Sequence, residues 1–385
     1  MTLAEHSIMT NETLPFAYTV LVSNALDAEI RSFNLDTATG RIEPGLTYAA
    51  ADAVMPMALS ADRKLLYVAT RGAAPSIITY CVDSLTGRLS RLGTAANIES
   101  SLAYLCADPS GRYLLGASYG EHRLSIYSVD GIAQANGEPL QVIENIEHAH
   151  AVIVSPDARF AYVSSLGSNR VFCFSLDAGP TGEPAAFVEH ASLGEGFGPR
   201  HLRFSPDGAM LYVLSEFRAT VALFQRDSVT GHIDPKGVSA RPQAISELND
   251  GRARPNLTAA VQLDPKTLQS LVWAADLQVT PDNRFVYVSE RTSSRLIVYR
   301  VHADASLEYA SFIQTETQPR GFQIDPTGRY LVACGEKSSH VAVYAINAES
   351  GALSLLSRCE GGRGANWVEI IDRTQSAAPA SARPL

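Results

Sequence analysis

In "GFGPRHLRFSPDGAMLYVLSE", residues 196 to 216, Arg200 and His201 stand just before an apolar-alternating run, and Glu216 closes the run that follows. Between them the chain turns at Pro206-Asp207-Gly208, the pattern of an antiparallel hairpin with a tight turn. The two open ends of such a hairpin lie side by side, opposite the turn. The same two slots, six residues before the turn proline and ten after it, carry reactive side chains in other copies of the pattern. Before it stand His150, Arg200 and Arg320, with Met55, Ala103, Ala275 and, in the last copy, Asn366. After it stand Arg71, Glu216, Arg291 and Glu336, with Tyr119 and Leu166. His201, Asp276, Glu290 and Lys337 are their immediate neighbours.

These residue types suit one chemistry. Arginine forks hold carboxylate or phosphate oxygens, so Arg200, Arg291 and Arg320 form a cationic pocket in a chain of net charge −9. The imidazole of His150 suits general-base work on water, with Glu216 to orient it or to act itself as acid or base. An arginine facing a carbonyl oxygen stabilises the charge that grows there in acyl transfer. Together they suit attack of activated water on an ester-like carbonyl. No serine is read as a nucleophile. No convergent carboxylate and histidine set of a metal site is seen, so neither metal nor cofactor is expected.

The elements that position these residues repeat. "MALSADRKLLYVATR", "LCADPSGRYLLGASY", "VIVSPDARFAYVSSL", "LQVTPDNRFVYVSER" and "FQIDPTGRYLVACGE" match the opening hairpin. A third strand follows in seven places, with Phe33, Tyr80, Tyr127, Phe174, Phe224, Tyr299 and Tyr344 in register, and turns such as "DSLTGRLSR" lead to a fourth. A repeat of about 40 to 50 residues with four antiparallel strands predicts an all-β fold, a seven-bladed β-propeller. In a propeller the first strand of each blade lines the central channel, so both open ends of every hairpin gather around one mouth. The last blade is sewn from both chain ends, "NWVEIID" pairing with "AYTVLVSN". One step between aromatics is 75 residues where the others are 45 to 50, marking an insertion in blade four, about residues 232–268. Residues 15–372 are thus read as one domain, with mobile ends at 1–14 and 373–385.

The acidic balance argues against nucleic acid as a partner. The five cysteines are widely spaced without a C-x-x-C, as expected of small buried hydrophobes in a reducing compartment. No signal peptide and no stretch of about 18 apolar residues is found, so a cytoplasmic protein without membrane contact is expected, a monomer or weak homodimer.

An Arg or Glu at such a slot serves equally well as a salt bridge between blades, and Glu290 and Arg295 are read that way. The set His150, Arg200, Glu216 and Arg291 is read as catalytic, because several blades deliver it to one rim. His201 either packs under the channel or touches a ligand. Arg71, His201, Asp276, Arg320 and Lys337 complete the set as substrate-binding candidates.

At "AHAVIVSPD", "GPRHLRFSPDG", "WAADLQVTPD", "SERTSS" and "TETQPRGFQIDPTGRYL" the chain resembles the propeller-type 6-phosphogluconolactonases, within a lactonase family that includes fungal 3-carboxy-cis,cis-muconate lactonizing enzymes. The resemblance spans roughly residues 16 to 371. It implies hydrolysis of a small anionic or polyhydroxy lactone, with His150, Arg200, Glu216 and Arg291 at the catalytic positions and Arg320 at a further family arginine. A basic residue that it also implies near Leu166-Gly167 is missing, which favours an unphosphorylated aldono- or aldarolactone beside 6-phosphogluconolactone. A muconate-type cycloisomerase and a non-catalytic binding propeller are the alternatives.

Overall fold

The local device behind six of the seven blades is a turn whose fourth residue has a left-handed backbone. Arg63, Gly111, Ala158, Gly208, Asn283 and Gly328 all have φ between 57° and 75°. Each donates its N–H to the carbonyl three residues earlier, as Gly208 does to Ser205 at 2.8 Å. The residue before the proline slot also caps the turn from its side chain, as when Ser155 Oγ accepts Phe160 N at 3.0 Å. Such a turn followed by an αL residue returns the chain as an antiparallel hairpin.

The computed structural model describes residues 17–176, 182–254 and 264–374. Seven antiparallel sheets are formed by these residues, each the blade of a propeller. Blade three runs Ala149–Val154, Phe160–Ser165, Arg170–Ser175 and Ala186–Ser192; blade four runs Pro199–Phe204, Met210–Ser215, Val221–Arg226 and Ile233–Val238. Blade five begins Ala274–Val279 and Phe285–Glu290, and blade six Pro319–Ile324 and Tyr330–Gly335. Blade one, from Met57–Leu59, adds a short fifth strand at Ala96–Asn97, and blade two begins at Tyr104–Ala107. The first strand of each blade packs on the first strand of the next, all the way round.

Inner strands are buried along their length, as in Phe160–Ser165, while outer ones such as Ile42–Ala49 are largely exposed. Adjacent blades are stapled by tyrosines that bury the ring and keep a hydrogen bond for the hydroxyl. Tyr162 of blade three donates to Gly231 O of blade four at 2.7 Å, and Tyr287 of blade five to Gly351 O of blade six at 2.7 Å.

Blade seven closes the ring as expected from both ends, with Tyr18–Asn24 pairing antiparallel to Ala365–Asp372. The expected insertion loop at 232–268 is corrected at its start: Ile233–Val238 is the fourth strand of blade four. Its Pro235 and Gly237 read as a loop, but an outer edge strand tolerates both. The expected mobile ends lie outside the described residues, Arg373 and Thr374 apart. Among the described residues, no helix is long and apolar enough to cross a membrane.

Buried Asn366 joins blade seven to its neighbour: its Nδ2 donates to Val54 O at 3.1 Å and its Oδ1 accepts Ser23 Oγ at 3.0 Å. Asn366→Ala leaves Val54 O buried without that donor, a loss of about 1–3 kcal/mol. A lowered urea midpoint is therefore expected, and an unchanged one would show that the ring closes without this contact.

Candidate active site

Four inner strands share an irregularity where the reactive residues sit. Pairing in blade four jumps from Pro199↔Ser215 to Leu202↔Val213, in blade five from Ala274↔Glu290 to Leu277↔Val288, and in blade six from Pro319↔Gly335 to Phe322↔Ala333. Blade three jumps from Ala149↔Ser165 to Ala151↔Ser164. Each is a bulge, so His150, Arg200-His201, Ala275-Asp276 and Arg320-Gly321 fall in the extra positions and re-aim their side chains. Second-strand side chains fill the gaps: Ser164 Oγ accepts Ala151 N at 3.0 Å, and Ser289 Oγ accepts Asp276 N at 3.0 Å.

His150, Arg200, Glu216 and Arg291, from blades three, four and five, meet at one end of the channel. Arg291 Nη2 donates to Glu216 Oε1 at 2.6 Å. Arg200 Nε lies 3.2 Å from Glu216 Oε2, at ion-pair distance though not aligned for a hydrogen bond, and His150 Nε2 lies 4.0 Å from the same oxygen. Arg200 Nη1 also donates to Ala275 O, and Arg291 Nε to Trp273 O at 2.9 Å, so backbone carbonyls of blade five hold both guanidinia. Arg200 is 1% exposed and Glu216 5%, so these charges interact through protein rather than water.

Burial pushes the Glu216 carboxyl up, but Arg291, Arg200 and Arg254 outweigh it and hold the group below its usual range, as a carboxylate. Burial is also the main cause lowering His150 well below the ordinary imidazole value, reinforced by Arg200, His201, Arg320 and Arg291. His150 is therefore neutral at pH 7, and among the described residues its buried Nδ1 has no partner. Burial and the arginine crowd pull Arg200 downward, though a guanidinium stays protonated in proteins.

His201 and Asp276 form a second pair beside this cluster. His201 Nδ1 is 2.7 Å from Asp276 Oδ1, and its ring packs edge-on against Tyr104 with centroids 5.1 Å apart. Its centroid is 5.5 Å from that of His150. Burial, then Arg200, lowers His201 to about 3, so it too is neutral. Asp276 is occupied internally, accepting Leu277 N at 2.8 Å and Gln278 Nε2 at 3.4 Å. Across the mouth Arg320 pairs with Glu336 at 2.7 Å, and half-buried Arg71 donates from Nε to Leu102 O at 3.3 Å. Burial, then Arg320, lowers Arg71 to about 10.

Lys337 is not brought to the cluster. Its side chain is exposed, and its backbone N–H donates to Thr317 O at 3.2 Å. Glu290 and Arg295 have structural partners: Glu290 accepts Trp273 N and Ser293 N at 2.8 and 2.6 Å, while Arg295 reaches Glu247 at 2.5 Å. Three neighbours of the site were not singled out from the sequence. Tyr119 occupied a slot that carries reactive groups elsewhere; its ring stacks on His148 at 4.2 Å and lies edge-on to His150 at 5.9 Å. His148, two residues before His150, had that proximity as its only signal. Arg254 comes from the insertion, outside the repeat. Among the described residues, no three His, Cys, Asp or Glu side chains are grouped as metal ligands.

The arrangement gathers an imidazole, carboxylates and guanidinia at one mouth of a propeller channel. Residues 19–370 match the family described as Lactonase, 7-bladed beta-propeller. A 6-phosphogluconolactonase of Serratia proteamaculans is 33% identical over 356 residues, which is 91% of this chain and 98% of the relative. One from Pectobacterium carotovorum is 33% identical over 325 residues, 83% of this chain and 88% of its own. A solved periplasmic gluconolactonase of Pseudomonas aeruginosa, 22% identical, shares the fold with a TM-score of 0.74 over 92% of this chain and 99% of that one. The chain belongs to the seven-bladed β-propeller lactonases, lactone-hydrolysing enzymes of the carboxylic ester hydrolase class.

Glu216→Gln leaves two buried guanidinia facing each other without their shared carboxylate, a loss of about 3–5 kcal/mol. Because the folded carboxyl titrates below its ordinary 4.5, its contribution is present above that pH and fades as pH falls through the folded value. Urea midpoints of wild type and variant are thus expected to differ at pH 7 and to converge well below pH 4.5. A constant gap would show that the carboxylate charge does not matter.

Proposed function

We propose that the protein hydrolyses a sugar lactone, 6-phosphogluconolactone or a related aldono- or aldarolactone, with water activated at the channel mouth. The observation that carries this reading is a neutral imidazole held 4.0 Å from a carboxylate that two arginines keep ionised. The names of the relatives supply the substrate class. His150 takes a proton from water as the water oxygen bonds to the lactone carbonyl carbon. Glu216 balances the imidazolium that results. Arg200 faces the carbonyl oxygen as it gains charge. The ring C–O bond then breaks, and His150 returns the proton to the departing alkoxide, giving the hydroxy acid. The five free cysteines accord with action in the cytoplasm.

An anionic substrate also tunes the base. The arginines that depress His150 lose part of their effect when an anion sits among them, so binding raises the basicity of the imidazole.

Acid release from fresh lactones, followed by indicator and corrected for spontaneous opening, tests the reading. His150→Ala and Arg200→Ala are each expected to lower the catalysed rate by about 10²-fold or more. Near-wild-type rates in both would remove the site assignment, and no acceleration with any lactone would remove the activity. The active form of His150 is neutral with a depressed pKa, so kcat/KM is expected to hold from pH 7 through the ordinary 6.5 and to fall only at lower pH. Arg320→Gln removes one depressing charge and should move that acid limb upward; an unmoved limb would assign it to another group.

A further inference from the structure

Blade four does not pass directly to blade five. After Ile233–Val238 the chain forms a 3₁₀ turn at Gln243–Ile245 and comes back along the open ends of both blades. Its path is pinned from several sides. Asn249 N donates to Ser270 O and Val272 N to Asn249 O, both at 2.9 Å, while Gly251 N donates to Phe217 O at 2.8 Å. Asp250 is gripped by Arg218 at 3.0 Å and by Arg241. Gly251 lies so close that a Cβ there would collide with Val272 O.

This route delivers Arg254 to the catalytic cluster. Its carbonyl accepts the Tyr119 hydroxyl of blade two at 3.1 Å, and its guanidinium lies over the Trp273 ring, 4.2 Å from the centroid. Trp273 is itself fixed, its Nε1 donating to Leu268 O at 3.0 Å. Burial chiefly, then Arg291, lowers Arg254 to about 10, with Glu216 and Glu336 acting in the other direction. Among the described residues no carboxylate stands within ion-pair distance of its guanidinium, and its buried Nε has no hydrogen-bond partner. A stacked, partly desolvated guanidinium with an uncommitted donor is built to receive an anion.

We propose that Arg254 is a specificity-determining residue that holds the anionic group, phosphate or carboxylate, of the lactone. The assignment rests on the lactonase reading and separates its recognition end, on the insertion, from the reacting end at Arg200 and His150. Truncating the side chain keeps the backbone bond to Tyr119, so Arg254→Ala is a mild structural change.

The test is steady-state hydrolysis by wild type, Arg254→Ala and Arg254→Lys of three lactones: one phosphorylated, one bearing a free carboxylate, and neutral glucono-δ-lactone. A charge-assisted contact predicts a loss of about 10- to 100-fold in kcat/KM, carried by KM, for whichever anionic lactone is the natural type. The loss on the neutral lactone should be clearly smaller than on the anionic one, and lysine should restore part of the anionic loss. Equal losses on neutral and anionic lactones, or none, would overturn the proposal. Calorimetric binding of 6-phosphogluconate and gluconate to the same proteins needs no turnover. If wild type hydrolyses nothing yet binds the phosphorylated acid through Arg254, the lactonase reading fails and the anion site stands. Binding indifferent to Arg254 overturns the site itself.

Discussion

Glu216, sealed from water between Arg200 and Arg291, sets the terms for everything around it. An isolated buried charge is costly, and even a well-made buried pair contributes little net stability compared with apolar side chains of similar shape. The cluster therefore demands accuracy of spacing without repaying it in fold stability. The three groups come from two blades, so their separation is a property of how blades four and five dock, fixed by inner-strand packing and by backbone contacts such as Ala274 N donating to Glu216 O at 2.9 Å. The tyrosine staples and the composite seventh blade matter to chemistry for this reason. A ring with a loose seam would let adjacent blades shift, and a carboxylate displaced from one arginine leaves two like charges exposed to each other.

Within that frame the reactive side chains stand on strands rather than on long loops. The bulges at His150, Arg200-His201 and Arg320-Gly321 turn side chains that regular pleating would have sent alternately into the blade interfaces. At His150 and at Ala275-Asp276 the irregular backbone is satisfied locally by Ser164 and Ser289 from the adjacent strands, which holds it in place. Rigid placement of dipoles and charges is what makes electrostatic stabilisation effective, because little reorganisation is needed as charge develops.

The hairpins, the blade count and the ring closure could be read from the sequence because period-2 alternation and a Pro-Asp-Gly type turn are local signals repeated many times. Counting from the turn proline also put Arg200, Glu216 and Arg291 at one rim, where their side chains do meet, since that count is the same in every blade. What it could not supply is side-chain direction. Lys337 was grouped with Glu336 by adjacency, yet the side chain after Glu336 points to solvent. His201 was grouped with Arg200 in the same way and is buried, because a bulge lies under that pair. Nothing in the residue types distinguishes the two cases. Pro235 and Gly237 disguised an outer strand as loop, and Arg254, lying outside the repeat, has no slot from which to be counted.

The cluster carries more positive than negative charge: Arg71, Arg200, Arg254, Arg291 and Arg320 surround it, against Glu216 and Glu336 with Asp276 and Glu121 beside them. Burial chiefly depresses His150, and Arg200, Arg320 and Arg291 of this set add to it. In the proposed reaction an anionic lactone offsets the arginine part of that effect, because the charge that attracts it is charge that weakens the base. Linkage makes the relation reciprocal: the factor by which a bound anion raises the proton affinity of His150 is the factor by which protonation of His150 tightens the anion. Recognition and activation then need no moving part, only arginines on a rigid rim and an imidazole close enough to feel them.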